Sequence, residues 1–306
     1  MSTSGGTRAI VAALVAGVFV AAATFVGFVV TGSSSLLAGA VLSVAGSGSQ
    51  ALLLLGGRRA RRLATLDHPF GYGRAQYFWA FVVALVLFSL GSLFATRRGV
   101  GEVGGPDELD SLGWAVGILL VAIVVEGLSL RTAVKESRPL KGEYRWRAFI
   151  RRAKVPELPV VVVEGLASVV GLVIALAAVT LAQLTGDPEW DGIGAVAIGV
   201  LLGILALMTA IGMKSLLIGE GALPEQRDRM LAAVGEAPDV ERLVHMRTEY
   251  LGPDEMLIAA KVQFDAGLSV SELADAIEAT EAAIRDAEPI ARVIYLEPDF
   301  SELDGD

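Results

Sequence analysis

Six apolar stretches, each about twenty residues or longer, occupy the first 216 positions, and a charged segment of about 90 residues follows them. The runs are Ala9–Val30, Ser35–Leu55, Tyr77–Ala95, Leu112–Leu130, Leu158–Leu184 and Gly192–Leu217. A bilayer core of ~30 Å takes ~20 apolar residues in helical form. Only a helix closes all its backbone hydrogen bonds within one such segment. The expectation is therefore an α-helical membrane protein: six transmembrane helices over residues 1–219, a small cytoplasmic α+β domain over 220–299, and an acidic tail over 300–306. A soluble chain with a large buried core is the alternative. A hydrophobic content of 54% and a mean hydropathy of +0.60 argue against it.

Charge divides the chain at the same place. From Leu217 onward there are 7 basic and 21 acidic residues, a net −14, whereas the first 216 residues carry a net +5. An acidic soluble domain argues against nucleic acid as a partner. It suits a domain that attracts cations, although most surface carboxylates are simply solvated. The chain has no cysteine, which excludes disulfides, thiolate metal sites and thiol chemistry.

Loop charges orient the spans. The segment 57–76 holds Arg58, Arg59, Arg61, Arg62 and Arg74, and 131–157 holds nine Lys or Arg. The alternate loops are poor in them: Thr31–Ser34 and 185–191 have none, and 96–111 has only Arg97 and Arg98. The positive-inside rule puts the Arg-rich loops in the cytoplasm. Six crossings then place both termini there, in a multi-pass protein of the cell membrane. The first run follows Arg8 and is too long for a signal-peptide core. Gly56-Gly57 reads as the end of the second span, and Gly99–Pro106 as a flexible outer loop.

In the tail, Pro224–Ala237 reads as a helix with Pro224 near its start. Val240–Tyr250 and Glu255–Phe264 read as strands joined by Leu251-Gly252-Pro253-Asp254. Ser269–Ala287 reads as a second helix, with Ser269 or Ser271 as N-cap and Glu272 in the first turn. Ala291–Leu296 is a third strand. Helix, strand, strand, helix, strand suits an open sheet with helices on one face.

Three strings carry a resemblance. His68-Pro69-Phe70-Gly71-Tyr72-Gly73-Arg74 precedes the third span, Lys214-Ser215-Leu216-Leu217-Ile218-Gly219-Glu220 follows the sixth, and Leu243-Val244-His245-Met246-Arg247-Thr248 opens the tail's sheet. With six spans and an α+β tail, the chain resembles the cation diffusion facilitator family of divalent-cation/proton antiporters over about residues 9–299. The resemblance implies a ferredoxin-like tail and a homodimer. It implies proton-coupled efflux of zinc, manganese or iron, with the metal as transported substrate rather than resident cofactor.

The family's transport site takes His or Asp on span 2 and Asp four residues later, with a similar pair on span 5. Residues i and i+4 share a helix face, so two facing helices make one tetrahedral cage. Here that register falls on Leu42 and Gly46, and on Val161 and Gly165. None of the four carries a ligand, so the resemblance implies the fold without the usual intramembrane metal ligands.

Two carboxylates lie well inside the spans, Glu126 and Glu164. Intramembrane carboxylates are costly and face the bundle interior or water. Both are candidates for a proton pathway, and Glu164, adjoining an expected ligand position, is also a candidate metal ligand. The plainer reading of each is a Glu hydrogen-bonded between helices. Gly39/Ser43 and Ser43/Ser47 stand four apart, as helix packing needs. A polar cation path through Ser43, Ser47, Ser49 and Gln50 is the alternative. Asp67 and His68 fall where the family often has an accessory metal site, but Tyr72 stands where a further His is common. The other reading is loop ordering. His245 matches a His of the family's regulatory metal sites, whereas Tyr295 stands where some members have His. By itself it reads as an ordinary strand histidine.

No nucleophile with a base, phosphate-binding loop or redox motif is evident, so a conventional enzyme is disfavoured. Two functions compete. One is a divalent-cation transporter with a non-standard or impaired site. The other is a non-transporting member that serves as a structural or regulatory subunit, including a heterodimer with an active relative. The partners expected are membrane lipid, divalent cations and protons.

Overall fold

The computed structural model describes residues 4–60, 62–85, 89–104, 111–141, 145–146 and 157–299. By compactness the chain splits into one unit of Met1–Arg59 with Ala75–Lys214 and another of Ala60–Arg74 with Ser215–Asp306. The acidic residues 300–306 lie outside the described residues.

The first unit is helical. Its elements are α1 (Ser4–Thr31), α2 (Ser34–Ala60), α3 (Ala75–Val83), α4 (Ser89–Gly104), α5 (Leu112–Lys141), α6 (Glu157–Thr185) and α7 (Glu189–Ile218). Five of them, α1, α2, α5, α6 and α7, are long and apolar enough to cross a membrane. The third apolar run is divided between α3 and α4, and residues 86–88 within it lie outside the described set.

Two boundaries differ from those read in the sequence. Gly56-Gly57 does not end α2, which continues to Ala60. Gly56 instead marks a close approach: a Cβ there would stand 3.3 Å from the Cα of Gln76. Gly99 does not open a loop either, because α4 runs through Gly104 and carries Arg97, Arg98 and Glu102 on helix. A Cβ at Gly99 would lie 2.5 Å from the carbonyl oxygen of Gly192. Both glycines serve backbone contact between helices, as small residues do in membranes.

Large apolar side chains face outward along these helices. Val15, Val18, Phe19, Val26 and Val29 do so on α1, and Val200, Ile204, Leu207 and Ile211 on α7. A chain in water would not leave such continuous apolar faces uncovered. Lipid covers them, while Ala, Gly and Ser turn inward. The core is built around Leu36, Leu42, Leu119, Leu172, Ile198 and Leu202. Leu42 of α2 sits in the notch at Gly171 of α6, where a Cβ would collide with its Cδ2.

The second unit matches the tail's expected order. It contains α8 (Pro224–Gly235), β1 (Val240–Gly252), β2 (Glu255–Phe264), α9 (Val270–Ala287) and β3 (Ala291–Asp299). The sheet order is β1-β2-β3, with β1 and β2 antiparallel and β2 and β3 parallel. Met256, Ile258, Ala260, Val262 and Phe264 alternate onto one face, where Met230 and Val234 of α8 and Ala276 and Ile284 of α9 cover them. That is the period-2 pattern of a half-buried sheet. The strands run further than read from sequence: β1 reaches Gly252 because the turn is confined to Pro253-Asp254, and β3 reaches Asp299, paired along β2 as far as Gln263.

Candidate metal and proton site

The four positions Leu42, Gly46, Val161 and Gly165 line one small cavity in the helical unit. Glu164, Glu126, Gln50, Ser43 and Ser168 line the same cavity. Helices α2 and α6 run antiparallel here, with Ser49 meeting Glu164 and Leu42 meeting Gly171. The cavity has a volume of about 20 Å³, enough for a single water or a bare ion. The i, i+4 register thus points all four expected positions into one place. What they bring there is apolar surface, and the polar groups come from their neighbours.

Glu164 is 4% exposed, and its Oε1 accepts a hydrogen bond from Ser49 Oγ at 2.5 Å. Its Oε2 has no partner, nor have Gln50 Oε1 and Ser43 Oγ, although all three residues are buried. Buried polar atoms are paired in the great majority of cases, so three unpaired oxygens in one cavity call for an explanation. Glu126, on α5, accepts from Ser168 Oγ at 2.9 Å. Ser168 stands one turn after Glu164 on α6, so the two carboxylates are tied to neighbouring turns of the same helix. The structure therefore brings Glu126 and Glu164 to a common cavity. Gln50 and Ser168 were the groups that sequence reasoning underweighted. Their signal was present: Gln50 is a lone amide in an apolar run, and Ser168 sits at i+4 from Glu164.

A second buried polar cluster lies at the start of α2. Asp191 is fully buried and accepts from Ser33 Oγ at 2.7 Å and from the Ser35 backbone N–H at 3.2 Å. Ser35 Oγ donates to the Asp191 carbonyl at 2.7 Å. Glu102, 2% exposed, accepts from Ser34 Oγ at 2.9 Å and pairs with Arg98 at 3.2 Å. Asp191 caps the N-terminus of α2 from another helix, where an anion is favoured. Neither carboxylate was singled out in the sequence, since both were read as loop residues. The serines at 33–35 were the available signal.

The remaining candidates belong to the second unit. Asp67 and His68 are exposed. The His68 ring stacks on Tyr72 at 4.4 Å, its N–H donates to Thr65 and its carbonyl accepts from Gly71. Gly71 holds a φ of +76°, which glycine adopts without strain. Tyr72, at the position read as a missing ligand, stacks on His68 and its hydroxyl lies 3.3 Å from Thr65 Oγ1. His245 is exposed on β1 and lies opposite Lys261, which pairs with Glu297 and Asp299. Tyr295 is exposed on β3. Among the described residues no three His, Asp or Glu side chains gather into a metal-binding group.

Comparison with known proteins is consistent with this layout. Residues 9–218 match the family model described as the cation efflux transmembrane domain. The proton-coupled zinc antiporter SLC30A9, mitochondrial, of Xenopus laevis is 30% identical over 241 residues, covering 78% of this chain and 43% of that protein. The protein of the same name from Homo sapiens is 28% identical over 244 residues, 79% of this chain and 43% of its own length. Metal tolerance protein C4 of Arabidopsis thaliana is 28% identical over 240 residues, 78% and 52% of the two chains. The chain thus spans about half the length of the curated relatives it matches.

Proposed function

The chain belongs to the cation efflux family, and on that premise we propose that it is a multi-pass membrane transporter of divalent metal cations, coupled to protons, with a non-standard transport site. The observation that carries this reading is the shared cavity. Leu42, Gly46, Val161 and Gly165 all reach it, and Glu164 and Glu126 supply its two carboxyl groups. A cavity between helices with buried carboxylates is where membrane proteins pass ions and protons. In this reading Glu164 and Glu126 are the exchange groups. An arriving dication displaces protons from the carboxyls, and its departure lets them return. Asp67, His68 and His245 fall outside that exchange and bind metal weakly or not at all.

One specific observation favours the second reading, a non-transporting partner subunit. No nitrogen or sulfur ligand lines the cavity, and Leu42 fills its place by packing over Gly171. An imidazole cage for zinc cannot form there.

The remaining organisation follows the family. Six spans, both termini cytoplasmic, a ferredoxin-like domain at 220–299 and a homodimer are the arrangement we infer. The antiparallel-then-parallel sheet with two helices on one face supports the domain assignment. The loop charges support the orientation. Reconstitution into proteoliposomes decides between the readings. Uptake of a divalent cation driven by an imposed pH gradient, and reduced by Glu164→Gln, supports transport. A chain that moves zinc, manganese, magnesium or iron no faster than empty vesicles is the partner subunit.

A further inference from the structure

Three buried oxygens without partners line one cavity: Ser43 Oγ, Gln50 Oε1 and Glu164 Oε2. Their residues are 2%, 5% and 4% exposed. Ser49 holds the other carboxyl oxygen of Glu164 at 2.5 Å, so the group is oriented; its second oxygen has no partner within hydrogen-bond geometry, and the Gln50 amide lies beside the carboxyl as a weaker donor. Resting on the transporter reading above, we propose that Glu164, Gln50 and Ser43 form an all-oxygen cation site, and that it takes a hard dication of the manganese or magnesium class rather than zinc.

The donor set decides the class. Carboxylate, amide carbonyl and hydroxyl oxygens together suit Mg²⁺ and Mn²⁺, whereas zinc sites take carboxylates mostly alongside imidazole or thiolate. The residues lining the cavity include no His and no Cys. Charge agrees with the donors. Once an arriving dication has displaced their protons, the Glu164 and Glu126 carboxylates supply two negative charges to match it. Glu126 is held through Ser168 at 2.9 Å and sits as the second carboxylate beside the three-oxygen set. The apolar residues at the four usual ligand positions then have a role: Leu42 and Val161 wall the site and keep it small.

The test uses the full chain in lipid nanodiscs with MnCl₂, read by electron paramagnetic resonance and calorimetry. One Mn²⁺ per chain should bind, Mg²⁺ should displace it, and Zn²⁺ should compete within about tenfold rather than dominate as at an imidazole site. Glu164→Gln should weaken Mn²⁺ binding about 100-fold and Gln50→Leu about tenfold. Thr180→Val, elsewhere on α6, should leave binding unchanged and shows that the variants report on the site. Ser43→Ala gives a third reading should Glu164→Gln fail to fold. Zinc displacing Mn²⁺ at far lower concentration, with Glu164-dependent binding, overturns the hard-cation class and leaves the transporter reading standing. Dication uptake in proteoliposomes without any binding sensitive to Glu164 or Gln50 overturns the site alone, the three oxygens then serving water. Absence of both binding and uptake overturns the site and the transporter reading together.

Discussion

Single residues decide what the cavity can hold. A Cβ at Gly46 would stand 4.0 Å from Gln50 Nε2, ordinary contact. At Gly165 it would meet Leu130 Cδ1 at 3.3 Å, so that the flexible end of Leu130 must give slightly. The first side-chain atom is therefore accommodated at both positions. The combined variant Leu42→His, Gly46→Asp, Val161→His and Gly165→Asp should gain zinc affinity by at least about 100-fold in calorimetry, comparable to rebuilding a ligand shell. Each single substitution should gain little, because a half-built cage does not offset the cost of dehydrating the ion. Tyr250 gives a second residue-level prediction. Burial pushes its hydroxyl up to about 12, against the hydrogen bond to Gln226 at 2.6 Å and the nearby Arg229, while Glu288 adds to the rise. The folded form therefore holds its proton more tightly than the unfolded chain. That contribution to stability is complete below about pH 10 and is lost as pH rises toward 12. Tyr250→Phe should flatten this alkaline loss in thermal unfolding of the full chain, at a cost of about 1 kcal/mol near neutrality. An unchanged pH profile would refute the assignment.

Elements show why some of the fold was legible and some was not. The capping box of α9 was readable because it is local: Ser269 Oγ accepts from the Glu272 N–H, and the Glu272 carboxylate accepts from the Ser269 N–H at 2.8 Å. Hydrogen bonds from the Ser269 hydroxyl and from its backbone N–H hold the Glu272 carboxyl below its ordinary range. Ser269→Ala should cost about 1 kcal/mol in denaturant unfolding of the tail's signal, while Ser271→Ala should cost far less. The trans-cap of α2 was not readable, because Ser33 and Asp191 are 158 residues apart and nothing local couples them. Asp191→Ala should strip that cap and leave buried donors unpaired, costing about 1–3 kcal/mol in the thermal stability of the detergent-solubilised chain. The glycines were misread for the same reason. Gly56 and Gly99 look like breakers in one dimension and are contact points in three. The cavity was half legible. Helical periodicity aligned Leu42, Gly46, Val161 and Gly165, and Glu164 beside them, but which oxygens lack partners depends on packing that no spacing rule contains.

For the whole molecule, topology is the property most open to test. The native chain has no cysteine, so introduced thiols report cleanly. Asp187→Cys, in the exposed turn between α6 and α7, should react with an impermeant maleimide from outside. Leu63→Cys, exposed beyond α2, should react only after permeabilisation. The reverse pattern would invert the orientation inferred from the arginines. The pinning of α2 at its first turn has a mechanical consequence. Ser35 is held by Asp191, and Ser49 lies fourteen residues further along α2, ~21 Å away at helical rise. A tilt of only ~5° about the pinned end would sweep Ser49 sideways by ~2 Å over that arm. The hydrogen bond to Glu164 spans 2.5 Å and would not survive such a sweep. The helix is a lever with its fulcrum at Asp191, and the Ser49–Glu164 contact is the gauge at its far end.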